Sequence, residues 1–262
     1  MRTRCTALTP LWRASVALVL AAGLGSVQGQ TDARRSGFEF MAASTQALER
    51  DDAQNPALLW VQQGADLWRA VSPTNGKSCT SCHGEGSMRG VASRYPAWDA
   101  ATQAPINLAQ RVNLCRQNHQ QQTPWRAESQ ELLALEAWVA RESRGVAIAP
   151  ARDARLQTAA RRGEQRYFQR IGQLNLSCAQ CHDQYAGQRL GSSPIPQAHP
   201  TAYPVYRLEW QGLGSLQRRI RNCQTGVRAE PYAFGAPELV ELELYLAERA
   251  RGMPLESPGV RP

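Results

Sequence analysis

Two short runs hold the most reactive chemistry in this 262-residue chain. They are Cys79-Thr-Ser-Cys82-His83 and Cys178-Ala-Gln-Cys181-His182, and both read C-x-x-C-H. Thiols at that spacing can form thioethers to the two vinyl groups of a haem, and the next imidazole then lies under the iron as a proximal ligand. The chain has four histidines, and two of them directly follow a C-x-x-C. A zinc knuckle or a redox dithiol would not require that trailing histidine. Two copies therefore predict two c-type haems, attached through Cys79 and Cys82 and through Cys178 and Cys181.

The distal side of each iron is harder to assign. Electron-carrying cytochromes usually offer methionine there. Here Met88 lies five residues beyond His83, too close to cross the haem edge. Met41 precedes the first motif and Met253 follows the last predicted helix. His119 and His199 are the histidine candidates, but neither recurs in the other half of the chain. Cysteine does recur, as Cys115 and Cys223. The axial pairs expected are His83 with Cys115 for haem 1 and His182 with Cys223 for haem 2. The alternative is a Cys115–Cys223 disulfide, which would leave His119 or His199 to ligate; it requires the two Cα atoms to lie within about 7 Å. A thiolate ligand favours ferric iron and keeps its sulfur in the nucleophilic form.

The segments around these residues repeat. Gly64 precedes Cys79 by 15 residues, as Gly163 precedes Cys178, and Trp68 and Tyr167 each lie four residues after those glycines. Pro96 of Tyr95-Pro96 lies 19 residues before Cys115, and Pro204 of Tyr203-Pro204 lies 19 before Cys223. Arg111 and Arg219 each stand four residues before the distal cysteine. Amphipathic helices follow over 131–140 and 238–247. The second half is nine residues longer between histidine and cysteine, and the extra length falls in the Gly/Ser/Pro-rich stretch 191–200, a loop by composition. Strand-like alternation is scarce. The fold expected is all-α, a tandem duplication of two cytochrome c-like domains over 30–147 and 148–262, with a linker near 145–150.

Arg2, Arg4 and Arg13, an apolar run over 14–24 and small residues before 29 predict a secretory signal over 1–29. That run is too short to span a bilayer, so no membrane span is expected after its removal. Losing its three arginines takes the net charge from +8 to +5. The mild basicity suits a small anion or an acidic partner, and without Lys/Arg clusters among aromatics nucleic acid is not an expected partner.

With two C-x-x-C-H motifs, a distal cysteine after each, and the run Arg218-Arg219-Ile-Arg221-Asn222-Cys223-Gln224, the chain resembles the SoxA family, the dihaem subunits of SoxAX cytochromes. The resemblance covers about residues 35–255. It implies a periplasmic L-cysteine S-thiosulfotransferase that couples thiosulfate oxidatively to a cysteine of a SoxY carrier and passes two electrons to cytochrome c. It implies a SoxX-type monohaem partner in a heterodimer and SoxYZ as acceptor. It also implies that Cys223 ligates haem 2 and can carry a persulfide, while Arg219 binds the substrate anion. Some family members lack the first haem motif; this sequence keeps it.

The residue chemistry agrees. Arg219 shares a helical face with Cys223, and a guanidinium can hold sulfonate oxygens in a planar fork. Arg218, Arg219 and Arg221 could also form a solvated face or meet haem propionates, but the first half carries one arginine, Arg111, where the second has three. The rival of a different class is a dihaem electron-transfer cytochrome without sulfur chemistry, which predicts Met or His distal ligands. A dihaem peroxidase would need a displaceable distal ligand, and a haem sensor would need an output domain.

Overall fold

A computed structural model describes residues 32–84 and 86–262. The signal-like segment 1–29, with Cys5, lies outside the described residues. Helices α1 (Ala43–Arg50), α2 (Leu58–Arg69), α3 (Leu108–Gln120), α4 (Gln130–Glu142), α5 (Ala154–Phe168), α6 (Leu216–Gly226) and α7 (Pro237–Arg249) carry most of the regular secondary structure. Strands β1 (Ala97–Asp99) and β2 (Ala104–Ile106) form one hairpin, and β3 (Arg189–Leu190) and β4 (Ser193–Pro194) another. Strands β5 (Val205–Arg207), β6 (Gly212–Gly214) and β7 (Gly259–Arg261) make a three-stranded sheet in the order β6-β5-β7. The all-α expectation is corrected to mainly helical with short strands. None exceeds three residues, too few to display alternation, and β7 joins parallel to β5 from the far end of the chain.

The helix starts are written locally. Asn107 caps α3 and exchanges hydrogen bonds with Gln110, while Ser129, Asp153 and Ser215 cap α4, α5 and α6. Pro237 occupies the first turn of α7. The helices over 131–140 and 238–247 are present, but α4 and α7 are buried on most of their circumference rather than along one stripe. They are the central helices, with α2 packed on α4 and α5 on α7.

The repeated glycines explain that pairing. A Cβ on Gly64 would fall on the Ala134 carbonyl and within 2.7 Å of Trp138 Cβ; one on Gly163 would fall on the Glu241 carbonyl and within 2.9 Å of Tyr245 Cβ. Only a residue without Cβ lets these backbones touch. The aromatics four residues on then stack across the same interfaces, Trp68 on Trp138 at 4.5 Å and Tyr167 on Tyr245 at 5.3 Å.

The two hairpins of the repeat are exchanged between the halves. Trp98 of β1 packs with Leu156, Ala159 and Leu244 of the second half. Its equivalent Tyr206 on β5 packs with Ala57, Leu133 and Ala137 of the first, 5.6 Å from Trp60. The segment 145–150 is paired rather than free: Gly145 and Ile148 donate to the carbonyls of Leu255 and Met253. Ile148 joins Ala140, Ala247, Ala250, Met253 and Leu255 in a shared core cluster. Residues 34–262 consequently form one compact unit.

A cavity of about 310 Å³ lies where the repeats meet, lined by equivalent residues such as Tyr95 and Tyr203, Leu108 and Leu216, and Glu136 and Glu243. Burial pushes Glu243 up to about 7, against opposing hydrogen bonds donated by Asn107 and Gln217. Burial and then the Glu243 and Glu128 charges raise Glu136 well above the usual carboxylate range, and burial raises Glu128. A carboxyl whose folded value is raised binds more protons folded than unfolded, so its contribution falls as pH rises. Between pH 4.5 and about 7, Glu243 alone removes about 3 kcal/mol. Thermal unfolding from pH 5 to 8 should show the midpoint falling, with Glu243→Gln flattening the trend. An unchanged slope in that variant would assign the linkage elsewhere.

Candidate functional site

Each distal cysteine faces the motif of its own half. Cys79 and Cys178 are pushed up to about 11 by burial and next by the charges of Cys115 and Cys223 respectively. The cysteines in the described residues, Cys79, Cys82, Cys115, Cys178, Cys181 and Cys223, are all free thiols, so the Cys115–Cys223 disulfide is not formed. The alternative histidine ligands are His119 and His199. The His119 side chain is exposed and its carbonyl accepts from Asn75, while His199 Nδ1 sits 2.9 Å from the Arg35 carbonyl. Met41, Met88 and Met253 are buried, Met253 in an apolar cluster and Met41 with its sulfur 3.8 Å from Arg261 Nη1.

The attachment turns differ. Cys79–Ser81 is a 3₁₀ turn, whereas Gln180–Gln184 winds as a π turn. His83 lies against Trp68, with ring centroids 5.5 Å apart. His182 Nδ1 lies 2.7 Å from the Pro196 carbonyl, which orients the ring and leaves Nε2 for a metal or a sulfur. Pro196 belongs to the nine-residue extension, where a short exposed hairpin, β3–β4, stands in place of the expected plain loop. Beside the histidine, Asp183 accepts from Tyr167 Oη at 2.9 Å and from Arg249 Nη2 at 2.6 Å. These elements fit a c-type haem: paired free thiols on a turn, an oriented imidazole, and a cysteine facing both. Among the described residues no three His, Cys, Asp or Glu side chains converge as a site for a bare metal ion.

The two distal sulfurs have opposite electrostatics. Burial raises Cys115, opposed by Arg111. That arginine is committed to Asp99, with Nη2 donating to Oδ1 at 2.6 Å. Burial would raise Cys223 as well, but a hydrogen bond with His182 and the charges of Arg219, His182 and Arg207 outweigh it, and the thiol falls below its ordinary value. Cys223 is the distal sulfur whose ionisation its surroundings favour.

Of the three arginines in the second half, only Arg219 acts on Cys223. Arg218 lies on the Trp210 ring at 4.0 Å and Arg221 on the Phe234 ring at 4.4 Å. The number of arginines is therefore not what distinguishes the halves. The sequence reading overlooked Arg207 on β5. Extending the Tyr-Pro alignment by three residues would have found it, opposite Asp99.

The family model described as the SoxA/TsdA cytochrome c domain matches residues 63–148 and 162–255, one copy for each half. The L-cysteine S-thiosulfotransferase subunit SoxA of Pseudaminobacter salicylatoxidans is 36% identical over 230 residues, 86% of this chain and 80% of that one. Its counterpart in Rhodovulum sulfidophilum is 35% identical over 232 residues, 88% of this chain and 81% of that one. A chain in the crystal structure of SoxXA from P. pantotrophus superposes with a TM-score of 0.84 at 34% identity, covering 87% of each. Two matched copies of the domain, in a chain aligned nearly end to end with SoxA subunits, mean that this chain belongs to the SoxA family of cytochromes with covalently bound haem c.

Proposed function

We propose that the chain is the dihaem subunit of a periplasmic L-cysteine S-thiosulfotransferase, with its reacting centre at Cys223. The observation that carries this is the contrast between the two distal cysteines. The hydrogen bond with His182 and the charges of Arg219 and Arg207 lower Cys223, whereas burial raises Cys115, whose nearby arginine is neutralised by Asp99. The named activity of the SoxA relatives supplies the reaction class.

Two haems are proposed, on Cys79 and Cys82 with His83 and Cys115 as axial ligands, and on Cys178 and Cys181 with His182 and Cys223. Bound haem supplies one-electron redox chemistry. The protein's own groups supply the rest. Arg219 holds the sulfonate oxygens of thiosulfate, and the dianion's outer sulfur then lies against the Cys223 sulfur. Joining these sulfurs makes Cys223–S–S–SO₃⁻ and releases two electrons to a c-type cytochrome acceptor. The thiolate of the carrier cysteine next attacks the outer sulfur, forming carrier–S–S–SO₃⁻ and returning Cys223 as thiolate. The partners are a SoxX-type monohaem subunit, as in the SoxXA structure that superposes on this chain, and a SoxYZ-type carrier. No helix among the described residues is long and apolar enough to cross a membrane.

The test combines mass and turnover. Protein matured in a periplasm should carry the mass of two haems. With its monohaem partner and oxidised cytochrome c, it should add a thiosulfonate group to a carrier cysteine only when thiosulfate is present. Electron transfer without a carrier adduct would restore the simple electron-transfer cytochrome.

A further inference from the structure

One position in the repeated hairpin reverses the charge beside the distal cysteine. β1 and β5 both begin directly after a cis Tyr-Pro and pair with a returning strand over three residues. Asp99 and Arg207 then take the same place: three residues after Pro96 and Pro204, and twelve before Arg111 and Arg219.

Their surroundings differ as their charges do. Asp99 is 5% exposed; it accepts from Arg111 and from the Thr102 backbone N–H and hydroxyl at 2.8 and 2.9 Å. The first half thus neutralises its arginine internally. Arg207 is 9% exposed, and its Nη2 donates at 3.0 Å to Glu209, whose side chain is 65% exposed. Its Nε is buried without a hydrogen-bond partner. Arg219 makes no ion pair among the described residues, and its charge and that of Arg207 repel each other. By the repeat, Arg207 stands toward Arg219 as Asp99 stands toward Arg111, and Arg219 lies one helical turn before Cys223.

A buried donor without a partner costs free energy, and so does a second cation beside the first. With Glu209 paired to Arg207, the two guanidinium groups still carry a net positive charge, unpaired at Arg219, that an anion would balance. Sulfonate oxygens would also accept from the idle Nε. We propose that Arg207 is a second anion-binding side chain at Cys223, which holds a sulfur oxyanion dianion jointly with Arg219. The exchange of Asp99 for Arg207 at one hairpin position is what separates a substrate-binding half from a closed one. This rests on the reading of Cys223 as the reacting centre, and it adds the group that sets affinity for the anion.

The experiment measures thiosulfate binding to the holoprotein by calorimetry, alongside turnover with the carrier. Arg207→Gln should weaken binding and raise KM by about tenfold to a hundredfold, as expected for one charge-assisted hydrogen bond, with kcat changed much less. Arg207→Lys should recover part of the loss. Asp99→Asn, in the half that binds no substrate, should leave the affinity unchanged. Equal binding by wild type and Arg207→Gln would overturn the proposal, as would a wild type that binds no thiosulfate. A shift in the haem spectrum or potential with affinity intact would also overturn it and make Arg207 a haem-propionate contact. If the wild type binds thiosulfate through Arg207 but forms no carrier adduct, the anion site stands and the thiosulfotransferase reading falls.

Discussion

Cys223→Ser should reduce thiosulfate-dependent modification of the carrier by at least ~10³-fold in kcat, the scale on which an enzyme loses its nucleophile. The hydroxyl of serine is not a thiolate and cannot enter sulfur exchange. Cys178 and Cys181, the proposed thioether cysteines, are untouched by the change, so the haem mass should be retained. The same change at Cys115 should cost far less, because that sulfur is raised by burial and its nearby arginine is neutralised by Asp99. Carrier mass spectrometry after a single incubation reads both variants. A Cys223→Ser protein that still adds the thiosulfonate group would remove Cys223 from the chemistry and leave it as an iron ligand alone.

Gly163→Ala should destabilise the protein by about 3 kcal/mol or more, a large effect for the addition of one methyl group. The added carbon would overlap the Glu241 carbonyl on α7 and lie 2.9 Å from Tyr245 Cβ. Both neighbours belong to the helix across the interface, so relief requires α5 and α7 to move apart. That movement would disturb Tyr167, which is fully buried and donates to Asp183 beside His182. For a unit of this size the melting temperature should fall by roughly 6–12 °C. Gly226→Ala is the control, since nothing lies within 4 Å of a Cβ there and its φ is ordinary. Thermal unfolding followed by circular dichroism separates the two. Equal melting temperatures would mean that the helix contact at Gly163 yields easily.

Much of this organisation could be read directly from residue spacing. The C-x-x-C-H runs, the glycines 15 residues upstream and the Tyr-Pro pairs 19 residues before the distal cysteines all recur in equivalent elements of the two halves. Local rules suffice for these features: a thioether turn, a glycine at a backbone crossing, a cap at a helix start. The short strands were illegible because two- and three-residue segments carry no periodic signal. The exchange of hairpins was illegible as well. Nothing local in Trp98 or Tyr206 tells which half it packs against.

The sequence by itself determined the attachment chemistry, the duplication and the pairing of a distal cysteine with each motif, because those depend on residue type and separation along the chain. The tertiary structure alone shows how the surroundings of the two distal cysteines differ. The lowering at Cys223 is a sum over groups from three separate segments: His182 from the attachment turn, Arg219 from α6 and Arg207 from β5. The same sum at Cys115 has its arginine neutralised by Asp99 across the hairpin. Electrostatic energy depends on distance through space and on burial, and neither quantity is written in the order of residues.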